Sequence, residues 1–193
     1  ESIAAIRSEA AAMKEMVEQL LFLARGDNDS MHLELENVSL AAIASEVQRE
    51  IEMIDQAHVF VSDLQGDGVV YADAGLMKQL LRVLVDNSVK YTPPGGRIAL
   101  ALRQEENIVR LSVQDEGCGI APDELPRIFD RFYRADRSRA RGTGGSGLGL
   151  SIARWIVEKH GGWLEVASSV GIGTRMTACL PAADAAVQPQ TAE

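Results

Sequence analysis

Hydrophobic residues recur at helical spacing along residues 2–25. Apolar side chains lie alternately three and four positions apart, as in a bundle or coiled-coil helix, at Ile3, Ile6, Ala10, Met13, Val17, Leu20 and Ala24. The pattern predicts a helix that ends at Gly26, where a polar segment follows. Because one helix cannot bury an apolar seam alone, we expect another segment or chain to cover it. The alternative is that the helix packs on its own globular domain.

Similar spacing predicts further helices. Ser39 is the N-cap of the second helix, residues 39–55. Its apolar face is formed by Leu40, Ile43, Val47, Ile51 and Ile54. The third helix, residues 74–91, ends at Thr-Pro-Pro-Gly-Gly. Its inward residues are Leu76, Leu80, Leu81, Leu84 and Val85. A short helix is expected near 123–129 and a long one at about 147–160.

Apolar and polar residues alternate in the remaining segments, as in strands with one buried face. MHLELENV, residues 31–38, indicates an edge strand, and the strands HVFVSDL and VVYAD flank the turn Gly66-Asp67-Gly68. RIALALRQ and IVRLSVQDE follow, and WLEVASS and TRMTACLP flank a Val-Gly-Ile-Gly turn. The chain is therefore predicted to be an α+β domain with a mixed sheet and three long helices, preceded by one bundle helix.

Composition narrows the classes of function. The 193 residues are 46% hydrophobic and 24% charged, as in an ordinary globular protein. The formal net charge of −9 disfavours nucleic-acid binding, which needs a basic surface. Two cysteines without metal-ligand spacing indicate a reducing, cytoplasmic environment. No apolar run is long enough to span a bilayer, so we expect no membrane contact by this segment.

Positive charge and glycine are concentrated next to each other in this acidic chain. Five arginines lie within residues 131–141, and five glycines lie within residues 142–152. Glycine backbone can approach phosphate oxygens closely, and the N-terminus of the following helix favours negative charge. The segment is not a Walker loop, because no Lys-Ser/Thr pair follows the last glycine. The two features indicate a small anionic ligand, although a flexible connection would also explain the glycines.

Two other polar motifs lie at the ends of predicted elements. Asp115 follows a strand in DxGxG, where a carboxylate can accept from an exocyclic amine and glycines admit a flat base. Asn87, Lys90 and Tyr91 share one face near a helix end. An amide oxygen can bind Mg²⁺, a lysine can bind phosphate, and an aromatic ring can pack on a base. Taken alone, the Asp115 motif is better explained as an acidic turn, and Asn87, Lys90 and Tyr91 as a solvated helix end.

In their order along the chain, these motifs resemble the catalytic, ATP-binding part of sensor histidine kinases of two-component systems. LVDNSVKYT is similar to the N box of that family, DEGCGI to the G1 box, IFDRFYR to the F box and GGSGLGL to the G2 box. VGIGTRMTACLP resembles the last hairpin, and EMVEQLLFLARGD resembles the end of the second dimerisation helix. The resemblance covers about residues 31–181 and implies a two-layer α/β sandwich of the Bergerat type.

The resemblance also implies roles for individual residues in binding Mg·ATP. Asn87 would ligate Mg²⁺, and Lys90 and Tyr91 would contact phosphate and nucleotide. Asp115 would accept from the adenine amino group. The residues expected around the base are Gly117, Gly119, Ile120 and Thr174.

The phosphates are expected to lie under a mobile lid at residues 130–146. Arg134 would reach them from the lid, and so would Arg139. Lys90 and Arg134 are the expected catalytic residues. The residues that would wrap the triphosphate are Gly145, Gly147, Leu148 and Gly149.

The chain departs from the family pattern in two ways. Val83 stands where the N box often has another asparagine, so Mg²⁺ coordination would depend on Asn87, phosphates and waters. None of His32, His58 and His160 has the context of a phosphate-accepting histidine. We therefore expect that histidine upstream, in a longer, dimeric protein anchored in a membrane.

The sequence thus predicts a catalytic domain that transfers the ATP γ-phosphoryl group to a histidine, for relay to the aspartate of a response-regulator receiver domain. Residues 1–29 would be the second helix of the phosphoacceptor (H-box) domain, residues 30–184 the ATP-binding domain, and residues 185–193 a disordered tail. Two alternatives remain open. One is another Bergerat-type ATPase, such as a DNA-repair or topoisomerase subunit. The other is a non-catalytic binding module, such as a degenerate kinase or an anti-sigma factor.

Overall fold

The computed structural model of the chain describes residues 2–28, 31–134 and 145–183. The helices are α1 Ser2–Asp27, α2 Leu40–Ile54, α3 Ala74–Tyr91 and α4 Gly149–Lys159. The strands are β1 Leu35–Ser39, β2 Val59–Leu64, β3 Val69–Asp73, β4 Arg97–Glu105, β5 Ile108–Asp115, β6 Trp163–Ser169 and β7 Gly173–Pro181. The helix expected near 123–129 is a single 3₁₀ turn at Leu125–Arg127, which contains Pro126. The predicted tail at 185–193 lies outside the described residues.

The strands form two sheets. In the larger sheet the order is β2-β4-β5-β7-β6, with β2 parallel to β4 and the other neighbours antiparallel. β1 and β3 form a separate antiparallel pair. A bridge between Val70 and Ala182 connects this pair to the chain just after β7. The mixed sheet confirms the predicted α+β class.

The two strands that flank Gly66-Asp67-Gly68 were predicted correctly, but they do not pair with each other. The turn instead faces the start of α2, where the amides of Leu40 and Ala41 donate to the carbonyls of Gly68 and Asp67. The first amides of a helix have no acceptor within the helix, so this turn satisfies two of them. The strands on either side consequently diverge into different sheets.

The core lies between one face of the larger sheet and the helices α2, α3 and α4. Alternate residues of β4 and β5 are buried on this face: Ile98, Leu100, Leu102, Val109, Leu111 and Val113. All five inward residues predicted for α3 are buried as well. One layer of helices on one sheet is the predicted two-layer sandwich, and it leaves the C-terminal ends of α3 and β5 and the start of α4 at a common edge.

The boundaries of two predicted elements differ from the structure. Ser39 caps α2 as expected, since its Oγ accepts from the amide of Ala42. Ile54, however, is 84% exposed because the last turn of α2 extends beyond the core. The first strand begins at Leu35 rather than at residue 31, because its partner strand ends at Asp73. The amide of Glu34 therefore donates to the Asp73 side chain instead of to a strand.

Among the described side chains of helix α1, those of its C-terminal turns pack on the domain. Leu23 is buried, and the ring of Phe22 lies edge-on to that of Trp155 in α4 at 5.0 Å. Gly26 does not end the helix; an added Cβ there would lie 2.5 Å from the Trp155 ring, so glycine permits close packing. The predicted apolar seam is exposed at Ile6, Met13, Val17 and Leu20. No helix within the described ranges has the length and apolarity of a membrane span.

Candidate nucleotide-binding site

Asp115, the last residue of β5, lies at the centre of the candidate site. Its side chain is buried, and its Oδ1 accepts from the amides of Gly117 at 2.9 Å and Thr174 at 3.1 Å. Its Oδ2 accepts from the hydroxyl of Ser88 at 3.2 Å. Burial raises the pKa of Asp115, and the three hydrogen bonds oppose that rise. A carboxylate oxygen can accept more than one bond, so Oδ2 remains able to accept from an amine.

The backbone around Asp115 is too crowded for side chains. An added Cβ on Gly117 would lie 2.7 Å from the carbonyl oxygen of Tyr91. Gly119 has φ +71°, and its Cβ would collide with the carbonyl of Ser169. Gly173 faces the Asp115 carbonyl in the same way. These glycines therefore let three backbone segments pack together beside the carboxylate, and no side chain projects from Gly117 or Gly119 there.

Thr174 and Ile120 are joined by a serine that the sequence analysis missed. The Oγ of Ser168 accepts from the amide of Ile120 at 2.8 Å and lies 2.9 Å from the hydroxyl of Thr174. It also donates to the carbonyl of Gly173 at 3.0 Å. Ser88 was missed too, although its spacing from Leu84 on the buried face of α3 indicates an inward side chain. Both serines fix the site through long-range contacts.

The last turns of α3 place Asn87, Lys90 and Tyr91 at the same edge of the domain. The Asn87 side chain is half-buried and makes no hydrogen bond with the described part of the chain. The Lys90 ammonium lies against Gly145 and 5.1 Å from the centre of the Tyr91 ring. Burial lowers the pKa of Lys90, and the charge of Arg134 lowers it further. Two cations thus share this edge, an arrangement that an anion would stabilise.

The F box and the G2 box are joined through their backbones. The amide of Phe132 donates to the carbonyl of Gly147 at 2.9 Å. Gly147 has φ +72°, and its Cβ would lie 2.9 Å from the Phe132 Cα, so a side chain is excluded there. Arg134 is half-buried next to this junction. Arg139, with Arg137 and Arg141, lies outside the described residues.

Helix α4 begins at Gly149 and faces α3. A Cβ on Gly149 would lie 3.3 Å from Val83, the residue at the variable N-box position. Leu148 is fully buried, so it can contribute to the site through its backbone only. Its amide donates to the Ser146 hydroxyl, whose oxygen lies 2.5 Å from the Gln19 side-chain oxygen of α1. The start of α4 has no side-chain cap, and a helix start favours an anion.

The described residues contain no group of three His, Cys, Asp or Glu side chains that could hold a metal ion. An amide oxygen together with phosphate oxygens and water is nevertheless a normal Mg²⁺ environment, since this ion usually keeps several waters. Asn87, the unbonded amide at this edge, fits that role. The site therefore combines a buried carboxylate and a glycine surface at one end with two cations and a helix start at the other.

A family model described as "Histidine kinase-, DNA gyrase B-, and HSP90-like ATPase" matches residues 72–184. The sensor histidine kinase YkoH of Bacillus subtilis is 40% identical over 177 residues, which are 92% of this chain and 38% of that protein. RppB of Synechocystis, also named a sensor histidine kinase, is 36% identical over 91% of this chain and 39% of its own length. The chain thus spans less than half the length of these curated relatives.

Solved structures are similar to this chain in fold as well. A mycobacterial sensor histidine kinase, MprB, has a TM-score of 0.69 and 28% identity, covering 77% of this chain and 98% of that one. Full-length ShkA, solved with AMPPNP, has a TM-score of 0.80 and 26% identity, covering 94% of this chain and 38% of that one. These likenesses confirm the expected resemblance and the Bergerat-type fold.

Proposed function

Because the chain belongs to the family of histidine kinase-, DNA gyrase B- and HSP90-like ATPases, we propose that it is the ATP-binding catalytic domain of a sensor histidine kinase. The domain would transfer the γ-phosphoryl group of ATP to a histidine on an H-box domain, for relay to a response-regulator aspartate. The observation that carries this proposal is the buried Asp115 carboxylate, which is oriented by hydrogen bonds from Thr174, Gly117 and Ser88. Relatives named as sensor histidine kinases support this member of the family over the others.

The base would bind at Asp115. Its carboxylate would accept from the adenine amino group, and the two backbone amides on Oδ1 would keep it oriented. Gly117 and Gly119 would lie against the ring, with Ile120 beside it and Thr174 below it. Because the carboxylate only accepts, a base with a carbonyl in place of the amino group would be rejected.

The phosphates would bind where Lys90, Arg134 and the start of α4 meet. Lys90 and Arg134 would neutralise the charge of the transferred group, while the backbone of Gly145, Gly147, Leu148 and Gly149 would donate to phosphate oxygens. Asn87 would supply a protein oxygen to Mg²⁺, and the ion would neutralise negative charge on the phosphates. No protein base is needed, because the acceptor imidazole is itself the nucleophile. Arg139 would assist from the lid.

We assign residues 30–184 to this domain and residues 1–29 to the second helix of the phosphoacceptor domain, which in the whole protein would form a homodimer. The exposed seam of α1 supports this assignment. The whole protein would be membrane-anchored, with this domain in the cytoplasm.

Labelled ATP tests the proposal directly. The chain alone is expected to remain unlabelled, because both ring nitrogens of His58 and of His160 are engaged and His32 precedes β1, on no helix that could present its ring to the phosphates. A separately produced H-box domain of a matching kinase is expected to acquire acid-labile label. Asn87→Ala is expected to abolish this transfer, whereas Asn107→Ala, the same change in the β4–β5 turn, leaves it intact. Transfer by Asn87→Ala at the wild-type rate would contradict the assigned role.

Steady-state ATP hydrolysis without any acceptor would instead favour a hydrolysing ATPase. Nucleotide binding without transfer to several H-box domains would favour a non-catalytic module.

A further inference from the structure

His58 lies between two hydrogen-bond acceptors outside the nucleotide site. Its Nδ1 is 2.7 Å from the Asp55 carboxylate, and its Nε2 is 3.0 Å from the carbonyl oxygen of Thr92. Only 7% of the His58 side chain is exposed. Asp55 is the C-cap of α2, and Thr92 is the C-cap of α3. One imidazole ring thus connects the ends of two helices.

Both partners of the ring can only accept. A neutral imidazole has one N–H and one lone pair, so it can satisfy one of the two acceptors and must turn its lone pair toward the other. An imidazolium has two N–H groups and satisfies both. A buried acceptor that loses its donor is costly, so this geometry favours the charged ring.

The charges around the ring also favour the imidazolium. Asp55 is the carboxylate that faces it from α2, whereas α3 presents a backbone carbonyl and the loop 93–96 consists of Pro, Pro, Gly and Gly. Arg97, opposite Val59 in the β2–β4 register, is exposed. Burial alone would lower the pKa of His58, but the bonds to Asp55 and Thr92 and the Asp55 charge raise it above 6.5.

The end of α3 that His58 holds is the part that builds the candidate site. The carbonyl of Tyr91, directly before Thr92, accepts from the amide of Cys118 at 3.3 Å. The same carbonyl lies against Gly117. One turn earlier, Ser88 bonds Asp115 and also accepts from the Thr92 amide through its carbonyl. A shift of Thr92 would therefore displace Ser88, which bonds the Asp115 carboxylate, together with Gly117, which lies against the Tyr91 carbonyl.

We propose that His58 is a positioning residue of the nucleotide site: its doubly protonated ring fixes the C-terminal end of α3, and with it Asn87, Lys90 and Tyr91. The expected effect on ATP binding rests on the proposed function, whereas the positioning of the end of α3 by His58 does not. Deprotonation releases one end of the bridge and loosens the site. Nucleotide affinity thereby depends on pH through a residue that touches no nucleotide.

The first test uses the wild-type protein without nucleotide. Nitrogen-15 NMR of the histidine rings is expected to show both nitrogens of His58 protonated at pH 6, with a midpoint above 6.5. The backbone amides of Asn87, Lys90 and Tyr91 are expected to shift with that same midpoint. A neutral His58 ring at pH 6, or amides that ignore its titration, would overturn the proposal. Asp55→Asn, which removes the facing charge, is expected to lower the midpoint.

The second test measures Mg·ATP binding by calorimetry between pH 6 and pH 9. We expect the Kd of His58→Gln to exceed that of wild type about fivefold at pH 6, at the low end of usual coupling between separate sites. The ratio is expected to approach one above the His58 midpoint. His32→Gln is the matched control and is expected to follow wild type throughout. Ionisation of ATP itself is common to all three proteins, so it cancels in the ratio.

A ratio that is independent of pH would refute positioning by protonation. If wild type binds no nucleotide at any pH, the proposed function fails, and the amide titration still decides whether His58 holds the end of α3. The two failures are thus distinguishable.

Discussion

Replacing Asp115 with asparagine changes one atom at the point where the site is expected to recognise the base. Oδ1 can keep its bonds to the amides of Gly117 and Thr174, because an amide oxygen accepts equally from both. The new NH₂ group then occupies the position of Oδ2. The Ser88 hydroxyl can rotate and accept from it, so the protein loses little. An adenine amino group, however, would face the NH₂ group of the new asparagine, and two donors cannot form a hydrogen bond with each other.

The expected loss follows from that single contact. A hydrogen bond to a charged acceptor contributes about 1.5–3 kcal/mol, which corresponds to about a ten- to hundredfold weaker Kd. Inorganic triphosphate has no base, and its binding groups at Lys90, Arg134 and the start of α4 are untouched. Its Kd is therefore expected to remain within about twofold, since changes at separate, independent sites add within about 0.5 kcal/mol.

Calorimetric titration with Mg·ATP and with Mg·triphosphate measures both quantities. Glu116→Gln is the matched control, because it removes the same charge from the adjacent, exposed residue. It is expected to leave the ratio of the two affinities unchanged. Equal losses for ATP and triphosphate in Asp115→Asn would refute the reasoning and show that Asp115 acts on the fold rather than on the base. Thermal unfolding of both variants separates those cases.

Three further outcomes are expected. Gly26→Ala places a methyl group 2.5 Å from the Trp155 ring. The overpacking cost of about 1–3 kcal/mol exceeds the gain of about 1 kcal/mol in helix propensity, so the variant is expected to be less stable than wild type. A urea midpoint above that of wild type would contradict this expectation. Burial, and then Glu165, raise the pKa of Cys179 to about 11, so at pH 8 a disulfide reagent is expected to label the exposed Cys118 alone, and Cys118→Ser to remove the fast reaction. Because the pKa of His58 is raised in the folded protein, protonation of His58 stabilises the fold below pH 6.5, and this stabilisation is lost as the pH rises through the folded-state pKa. Urea unfolding is therefore expected to show wild type losing more stability than His58→Gln between pH 6 and pH 9.

Local features of the fold could be predicted from the sequence. The helices α2 and α3 could be predicted from their apolar spacing and from local N-cap residues such as Ser39, whose side chain bonds an amide three residues further along. Strand pairing could not be predicted in the same way. Alternation marks a strand, but β3 pairs with β1 rather than β2 because the turn at Gly66–Gly68 bonds to a helix start. Such a contact has no periodic pattern.

In the candidate site too, contiguous motifs could be predicted from the sequence, whereas long-range contacts could not. The motifs around Asn87, Asp115 and Gly147 are short and contiguous, so they could be found in the sequence. The side chains that orient them come from far along the chain: Ser88 reaches Asp115 across 27 residues, and the Thr174 amide across 59. His58 was interpreted only as a residue that opens a strand, because its two partners meet only in the folded chain.

The ladder between β5 and β7 joins Gln114 to Arg175, with Asp115 and Thr174 next to this pair. The chain between these two points, residues 116–173, includes α4 and β6, and its two ends are held together by the β5–β7 ladder. The entropy needed to close a loop grows only with the logarithm of its length, about 0.6 kcal/mol for each doubling. Insertions in the connection from the F box to α4 would thus cost the sheet little stability, and the hydrogen bond between Asp115 and Thr174 would keep its geometry.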